Sequence, residues 1–168
     1  LSFLPTIRQS LFFSATISPK VKEVLSNFVT NPVTVSVKMQ DTAENVDQDV
    51  VKTQGKQKLD VLHDLLNQKE FSKVLVFGRT KHGVEKLAKI LGERGFKTES
   101  IHGNKSHGQR QRALKSFKEN QVQILVATDV AARGIDVADL THVVNVGLPD
   151  DQESYVHRIG RTGRAGKE

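Results

Sequence analysis

Three short apolar runs without polar alternation constrain the fold of this chain most strongly. Residues 74–77 read VLVF, residues 124–127 read ILVA, and residues 143–146 read VVNV. Runs of this kind are typical of strands that are buried on both faces of a parallel sheet. The sequence therefore predicts three buried strands in one sheet.

Amphipathic segments lie between and beside these runs, and they have the spacing of helices with one apolar face. Gly95 is expected to end the second of them as a C-cap. Alternation of strands and helices predicts an α/β fold, an open parallel sheet with helices on both faces and right-handed crossovers. The apolar faces are Leu59, Leu62, Leu65 and Leu66 in the first segment, Val84, Leu87, Ala88 and Leu91 in the second, and Ala113, Leu114 and Phe117 in the third.

The N-terminal part has a different pattern. Residues 11–13 and 33–37 are predicted as strands, and between them Ser18 and Pro19 are a favourable start for a helix. The polar residues that follow are typical of a linker. The predicted organisation is a first segment over 1–37, a linker over 38–48 and an α/β domain over 49–168.

Composition limits the class of protein. The formal net charge is +6, from 25 basic and 19 acidic side chains, which favours a polyanionic partner. The absence of cysteine excludes disulfides and thiolate metal sites, and the spacing of His102 and His107 argues against a metal site. The apolar runs are too short to cross a bilayer, and no signal segment opens the chain, so we expect no membrane contact and a cytoplasmic location. The leucine at position 1 and the abrupt end indicate a part of a longer protein.

The segment TDVAARGID, residues 128–136, follows the second apolar run. In open α/β sheets, ligands bind at the carboxyl ends of strands. The hydroxyl of Thr128 and the free N–H groups of a helix that begins at Asp129 are suited to phosphate. Gly134 allows close approach, and Asp136 is able to accept hydrogen bonds from sugar hydroxyls. An ordinary strand–turn–helix connection remains the alternative.

The segment HRIGRTGR, residues 157–164, places three arginines among two glycines. Guanidinium groups keep their charge and match phosphate oxygens, so the segment predicts contact with a polyanion. His157 and Arg161 are four residues apart and are expected to share a helix face, whereas Arg164 follows Gly163 and is expected on a loop. A solvated basic helix is the alternative.

Together, these two segments resemble motifs V and VI of the DEAD-box RNA helicases. Three further segments resemble other motifs of that family in the same order, so the resemblance covers essentially the whole chain. It implies a RecA-like second domain, preceded by the tail of a first RecA-like domain, with ATP bound in the cleft between the two. The further segments are residues 14–16 (motif III), residues 76–80 (motif IV) and residues 101–103 with Arg110.

The resemblance assigns roles on the nucleotide side. Arg161 and Arg164 would be arginine fingers that reach the γ-phosphate of ATP held by the other domain. Asp136, with Gly134 beside it, would hold the ribose. His157 would couple this segment to motif III, that is to Ser14 and Thr16, with a plain interface histidine as the alternative; Arg158 would hold structure or the domain interface.

The resemblance assigns the RNA side separately. Thr80, Gly103, Arg110 and Thr128 match positions that touch the RNA backbone, so binding is expected to be independent of base sequence, salt-sensitive and weak for this half alone. Contacts to 2′-hydroxyls would favour RNA over DNA. Aromatic residues make up only 5% of the chain, so we expect no base stacking.

The chain departs from the family pattern at three positions. Asn104 stands where the family usually has Asp, and His107 stands where it usually has Gln; both concern the detail of the RNA contact. Arg79 replaces the Asn or Glu of many relatives. We expect it to be a plain surface arginine, with an extra phosphate contact as the alternative.

Two motifs of a complete ATPase are missing. The chain has no GxxxxGK[ST] loop and no Asp-Glu-Ala-Asp tetrapeptide, so we expect no ATP hydrolysis by it alone. ATP and Mg²⁺ would be cofactors of the full-length enzyme, with Mg²⁺ held by the missing domain.

The apolar residues of 1–37 are expected to dock on their own domain or, by giving a homodimer, on a second copy, with a disordered tail as the alternative. The alternatives to a helicase fragment are a DNA-translocating relative and a non-catalytic RNA-binding or protein-docking module.

Overall fold

The computed structural model describes residues 5, 7–14, 19–29, 31–35, 46–132, 135, 137 and 139–162. The chain forms two compact units, Leu1–Met39 and Gln40–Glu168. They are called the N-terminal and the C-terminal unit below, and each is described by itself. No helix among the described residues is long and apolar enough to span a membrane.

The N-terminal unit contains one helix in its described part, α1, Pro19–Ser26. The predicted strand at 11–13 is wrong, and so is the described part (33–35) of the one at 33–37, because these residues form no strand pairing. A strand needs a neighbouring backbone to complete its hydrogen-bond ladder, and the described part of this unit offers none. The apolar side chains there, such as Leu11, Phe13 and Val33, are exposed.

The C-terminal unit is a four-stranded parallel sheet in the order β2-β3-β1-β4. In register, Val74 pairs with Ile124 on one side and with His142 on the other. This sheet confirms the predicted α/β class. The elements are α2 (Lys58–Leu66), β1 (Val74–Phe77), α3 (Lys81–Glu93), β2 (Thr98–Ile101), α4 (His107–Lys118), β3 (Ile124–Ala127), α5 (Asp129–Ala132), β4 (His142–Asn145) and α6 (Gln152–Ile159).

The two central strands, β1 and β3, are buried along their whole length, as their unbroken apolar sequences predict. Side chains alternate between the two faces of a strand, so each strand contributes to two cores. Leu75 and Phe77 of β1 pack with α4 and α5 on one face. Val74 and Val76 pack with α2 and α3 on the other. Helices therefore cover both faces of the sheet.

The strand β2 is not among the strands predicted from the sequence. Its residues, TESI, are mostly polar, and only the last two are buried. β2 lies at the edge of the sheet and pairs only with β3, so it does not need the apolar sequence of a central strand. The opposite edge strand, β4, begins at His142, one residue earlier than predicted, and is half-buried throughout.

Gly95 follows the C-cap residue of α3 with a φ of +95°. This left-handed conformation is favourable for glycine and ends the helix, as predicted.

Candidate functional site

All four strands are parallel, so the residues that follow them lie along one edge of the sheet, the carboxyl edge. Thr80 follows β1, Gly103 follows β2 and Thr128 follows β3. The fold thus brings to one edge three of the residues predicted to contact RNA. Arg110 lies in the first turn of α4, just beyond the loop that contains Gly103.

Thr80 ends the β1–α3 connection as the N-cap of α3. Its hydroxyl oxygen accepts a hydrogen bond from the backbone N–H of Gly83 at 3.0 Å. A cap of this kind satisfies a helix N–H that otherwise has no partner in the helix. Thr80 therefore has a structural role in addition to the contact predicted for it.

The β2–α4 loop, residues 102–106, is held by a buried histidine. His102 is 5% exposed, and its Nε2 lies 3.0 Å from Oε2 of Glu85 on α3. Its Nδ1 accepts the backbone N–H of Asn104 at 3.3 Å. The buried hydroxyl of Ser100 also donates to Glu85 Oε2. The loop that carries Gly103 is thereby anchored to α3.

Hydrogen bonds from Ser100 and His102, together with the positive charge of Lys105, lower the pKa of Glu85 to about 2 from its ordinary value of 4.5. These effects outweigh the partial burial of the carboxylate, which acts in the opposite direction. Glu85 is therefore a carboxylate throughout the neutral pH range, able to accept from all three neighbours.

Asn104 joins the β2–α4 loop to the start of α3. Its Oδ1 accepts a hydrogen bond from Lys81 Nζ at 3.0 Å. Lys105, the next residue, lies 3.4 Å from Glu85 Oε2 through its own Nζ. Nε of Arg110 is buried with no hydrogen-bond partner among the described residues.

Arg158 of α6 is buried, with only 1% of its surface exposed. Its Nε and Nη2 donate to the carboxylate of Asp129 at 2.5 and 2.7 Å, and its Nη1 donates to Asn145 Oδ1 and to the carbonyl of Gly147. The guanidinium also lies over the ring of Phe77, 4.9 Å from its centroid. Arg158 is thus placed to hold α6 against the ends of three strands rather than to contact a second domain directly.

His157 and Arg161 lie on either side of Arg158 in sequence, and both line one small cleft at the carboxyl edge. Arg161, in the turn after α6, is half-buried and donates from Nη1 to the carbonyl of Ile135 at 2.8 Å. The cleft is lined by Phe77, Asp129, Ala132, Ser154, His157, Arg158 and Arg161. It therefore contains the guanidinium of Arg161 and the imidazole of His157, both able to donate to phosphate oxygens, whereas the hydroxyl of Ser154 already donates to Asp151 Oδ2 at 2.9 Å.

Several predicted site residues lie outside the described part of the chain: Thr16, Gly134, Asp136 and Arg164. Their roles stay predictions. Ile135 and Val137, which alternate with Gly134 and Asp136, are buried in the hydrophobic core. Ser14 is exposed in the N-terminal unit.

Arg79 forms an ion pair with Asp150 at 2.8 Å, and both side chains are largely exposed.

Among the described residues, no group of three or more His, Asp or Glu side chains could hold a metal ion.

The residues that support the β2–α4 loop and Arg158 were not predicted from the sequence. Glu85 meets Ser100 and His102 from 15 and 17 positions away, and Asp129 meets Arg158 from 29 positions away. No local spacing signals such pairs, because the sheet order creates them. The polar residues of β2 were the available signal for the first group, and that strand was not recognised.

The known proteins that this chain resembles are helicases. The family described as "Helicase conserved C-terminal domain" matches residues 57–166. DEAD-box ATP-dependent RNA helicase CshA of Geobacillus kaustophilus is 47% identical over 99% of this chain and 36% of its own length. The CshA of Bacillus subtilis is also 47% identical, over 99% of this chain and 34% of its own length. The chain thus spans about a third of the length of these curated relatives.

Two solved structures show the likeness in three dimensions. S. cerevisiae Dbp5 bound to RNA and ADP BeF3 superposes with a TM-score of 0.79 at 30% identity, over 99% of this chain and 45% of that one. E. coli DEAD-box protein SrmB bound to the regulator of ribonuclease activity A gives a TM-score of 0.63 at 44% identity, over 66% of this chain and 65% of that one. The C-terminal unit therefore has the RecA-like fold that the sequence predicts.

Proposed function

Since the chain belongs to the helicase conserved C-terminal domain family, in the form found in DEAD-box helicases, we propose that it is the second RecA-like half of an ATP-dependent RNA helicase. It binds the RNA backbone and completes an ATP site that the first RecA-like domain holds. ATP hydrolysis is thereby coupled to local unwinding of RNA duplexes. The observation that carries this proposal is the placement of Arg161 and His157 in one cleft, at the same sheet edge as Thr80, Gly103 and Thr128.

On the nucleotide side, Arg161 and Arg164 stabilise the charge that spreads over the transferring γ-phosphoryl group. The chemistry of the cleft suits a phosphate ligand, because the guanidinium of Arg161 and the imidazole of His157 line the same cleft. Gly134 and Asp136 receive the ribose.

Mg²⁺ is better held by the first domain. The carboxylate in the cleft, Asp129, already accepts two hydrogen bonds from Arg158 and is committed to that buried pair. With ATP bound, Mg²⁺ supplies charge neutralisation at the phosphates. The contribution of this chain is its guanidinium groups, so the chain alone hydrolyses no ATP.

On the RNA side, Thr80, Gly103, Arg110 and Thr128 bind phosphates and 2′-hydroxyls without reading bases. The unpartnered Nε of Arg110 supports this assignment, since a buried guanidinium N–H without an acceptor is costly unless a ligand supplies one. The S. cerevisiae relative was solved with RNA bound, which agrees with the proposal.

The proposal is tested by joining this chain to the part of the G. kaustophilus CshA that precedes the segment it matches, and by measuring unwinding of a short RNA duplex. We expect ATP-dependent unwinding by the joined protein and none by this chain alone. A joined, folded protein that binds RNA but turns over no ATP would instead favour a non-catalytic RNA-binding module.

A further inference from the structure

Two lysines lie beside the β2–α4 loop, and they differ in their partners. Lys105 lies 3.4 Å from the carboxylate of Glu85, and its side chain is only 19% exposed. Lys81 is exposed and donates to the neutral amide of Asn104, and no carboxylate pairs with it among the described residues. The charge of Lys81 is therefore not neutralised by the part of the protein that the structure describes.

The contact with Lys81 also fixes the orientation of the Asn104 amide. An ammonium group can only donate, so the side-chain oxygen of Asn104 must face Lys81. The amide nitrogen is the other branch of the same group, and its N–H groups have no partner among the described residues. The backbone of Asn104 is held by His102 Nδ1, so this orientation is supported from the buried side of the loop.

An ammonium and an amide NH₂ on adjacent side chains form a donor set suited to an anionic oxygen. DEAD-box helicases usually have aspartate in place of Asn104, and an aspartate would disfavour an anionic oxygen at this position. A carboxylate would neutralise Lys81, offer acceptors only and repel a phosphate. Asn in place of Asp therefore removes a negative charge from the carboxyl edge of this chain and leaves the charge of Lys81 without an adjacent carboxylate at position 104.

We propose that Lys81 and Asn104 together bind one phosphate of the RNA backbone, beside the contacts of Thr80 and Gly103. Each member of the pair directly follows one of those residues in sequence, and the 3.0 Å hydrogen bond between them joins the β2–α4 loop to the start of α3. This inference rests on the proposed function, because it names a further contact within the same RNA surface. It makes residue 104 a determinant of RNA affinity.

The test is a titration of fluorescein-labelled oligouridine with the 168-residue chain, followed by fluorescence anisotropy at several KCl concentrations. Lys81→Gln and Asn104→Asp are each expected to weaken binding by about 3- to 10-fold and to reduce the slope of log K against log salt by about 0.7. Asn104→Ala removes the amide donors but leaves the lysine charge. It is expected to weaken binding by a smaller factor and to leave the slope unchanged.

Lys86→Gln is the matched control, since it removes the same charge from an exposed position further along α3. It should bind as the parent does, and thermal unfolding should show all variants folded. If the parent binds RNA but Lys81→Gln and Asn104→Asp bind equally well with the same slope, the pair is not a phosphate site and the proposed function stands. An equal loss in Lys86→Gln would indicate only a general effect of charge, which also overturns the proposal. If the parent binds no RNA, the RNA half of the proposed function fails together with this inference.

Discussion

Arg158 and Asp129 form a bidentate ion pair at the carboxyl edge of the sheet, with N–O distances of 2.5 and 2.7 Å. The pair joins α6 to the first residue of α5 and so fixes where the turn with Arg161 lies. The remaining contacts of the guanidinium, with Asn145 and the carbonyl of Gly147, extend this anchor to the end of β4. The position of the proposed arginine finger, Arg161, therefore depends on the neighbouring Arg158, which is itself buried.

Removing this anchor should destabilise the C-terminal unit strongly. Arg158→Ala leaves the carboxylate of Asp129 without its partner, and the expected loss is about 3–5 kcal/mol in the free energy of unfolding. Urea denaturation measures it. Arg79→Ala, which breaks the exposed pair with Asp150, is the control and should cost about 0–1 kcal/mol. Equal, small losses for both variants would show that the buried pair does not hold α6.

The interactions of Glu85 with Ser100, His102 and Lys105 predict that the stability of the folded state decreases at acidic pH. The folded-state pKa of about 2 lies below the ordinary value of 4.5. The contribution of Glu85 is thus fully present above pH 4.5 and is lost as the pH falls toward 2. The difference in urea midpoint between the parent and Glu85→Gln should shrink over that window. Glu93→Gln, which removes a carboxylate from the end of the same helix, is the control; a difference for Glu85→Gln that is constant with pH would contradict the prediction.

His142 predicts a second dependence on pH, closer to neutrality. Burial lowers its pKa from 6.5, and the charge of Glu70 opposes this shift only in part. Because the folded state disfavours the protonated ring, stability is full above pH 6.5 and declines as the pH falls below that value. The ring of His142 stacks on Phe71 with 3.7 Å between the ring centroids, and its buried Nδ1 has no hydrogen-bond partner in the described part of the chain.

His142→Phe keeps the stacking and removes the buried nitrogen, so it should abolish this part of the pH dependence. Thermal unfolding of the parent and of His142→Phe at a series of pH values measures the effect. His82→Gln, at an exposed position on α3, serves as the control. The prediction fails if the parent and His142→Phe lose stability in parallel as the pH is lowered from 6.5.

Thr80 is expected to act on stability as well as on RNA. Thr80→Ala removes the N-cap of α3 and should cost about 1 kcal/mol, whereas Thr80→Ser keeps the hydroxyl and should cost far less. Thermal unfolding checks the cap, and the oligouridine titration checks the contact. If Thr80→Ala is as stable as Thr80→Ser, the cap does not support α3 in solution.

The central strands were predictable because burial on both faces leaves a plain apolar sequence, and the observed bounds of β1 and β3 agree with the runs at 74–77 and 124–127. Edge strands are less buried and do not need an unbroken apolar sequence. The strand β2, with the sequence TESI, was therefore not predicted, and β4 begins one residue earlier than expected. Strand pairing in the N-terminal unit depends on a neighbouring backbone, which the sequences of 11–13 and 33–37 do not reveal.

At the site, ordered motifs located the carboxyl-edge residues but not their supports. His102 and Arg158 are positioned by carboxylates that lie far away in the sequence. The order of the strands in the sheet brings these partners together, and the spacing of the residues along the chain does not indicate that order. The effect of Asn104 was not predicted either, because it depends on a hydrogen bond from Lys81 at the start of α3, 23 positions away.

The most direct test of the central claim is the RNA-stimulated turnover number of the two-domain protein, in which this chain replaces the segment of CshA that it matches. Arg161→Ala should lower kcat for ATP by about 10³-fold or more, while RNA affinity without nucleotide stays unchanged. Arg164→Ala should behave in the same way, and Arg94→Ala, whose ion pair with Asp60 lies away from the site, should not. Full turnover in both Arg161→Ala and Arg164→Ala would contradict the account.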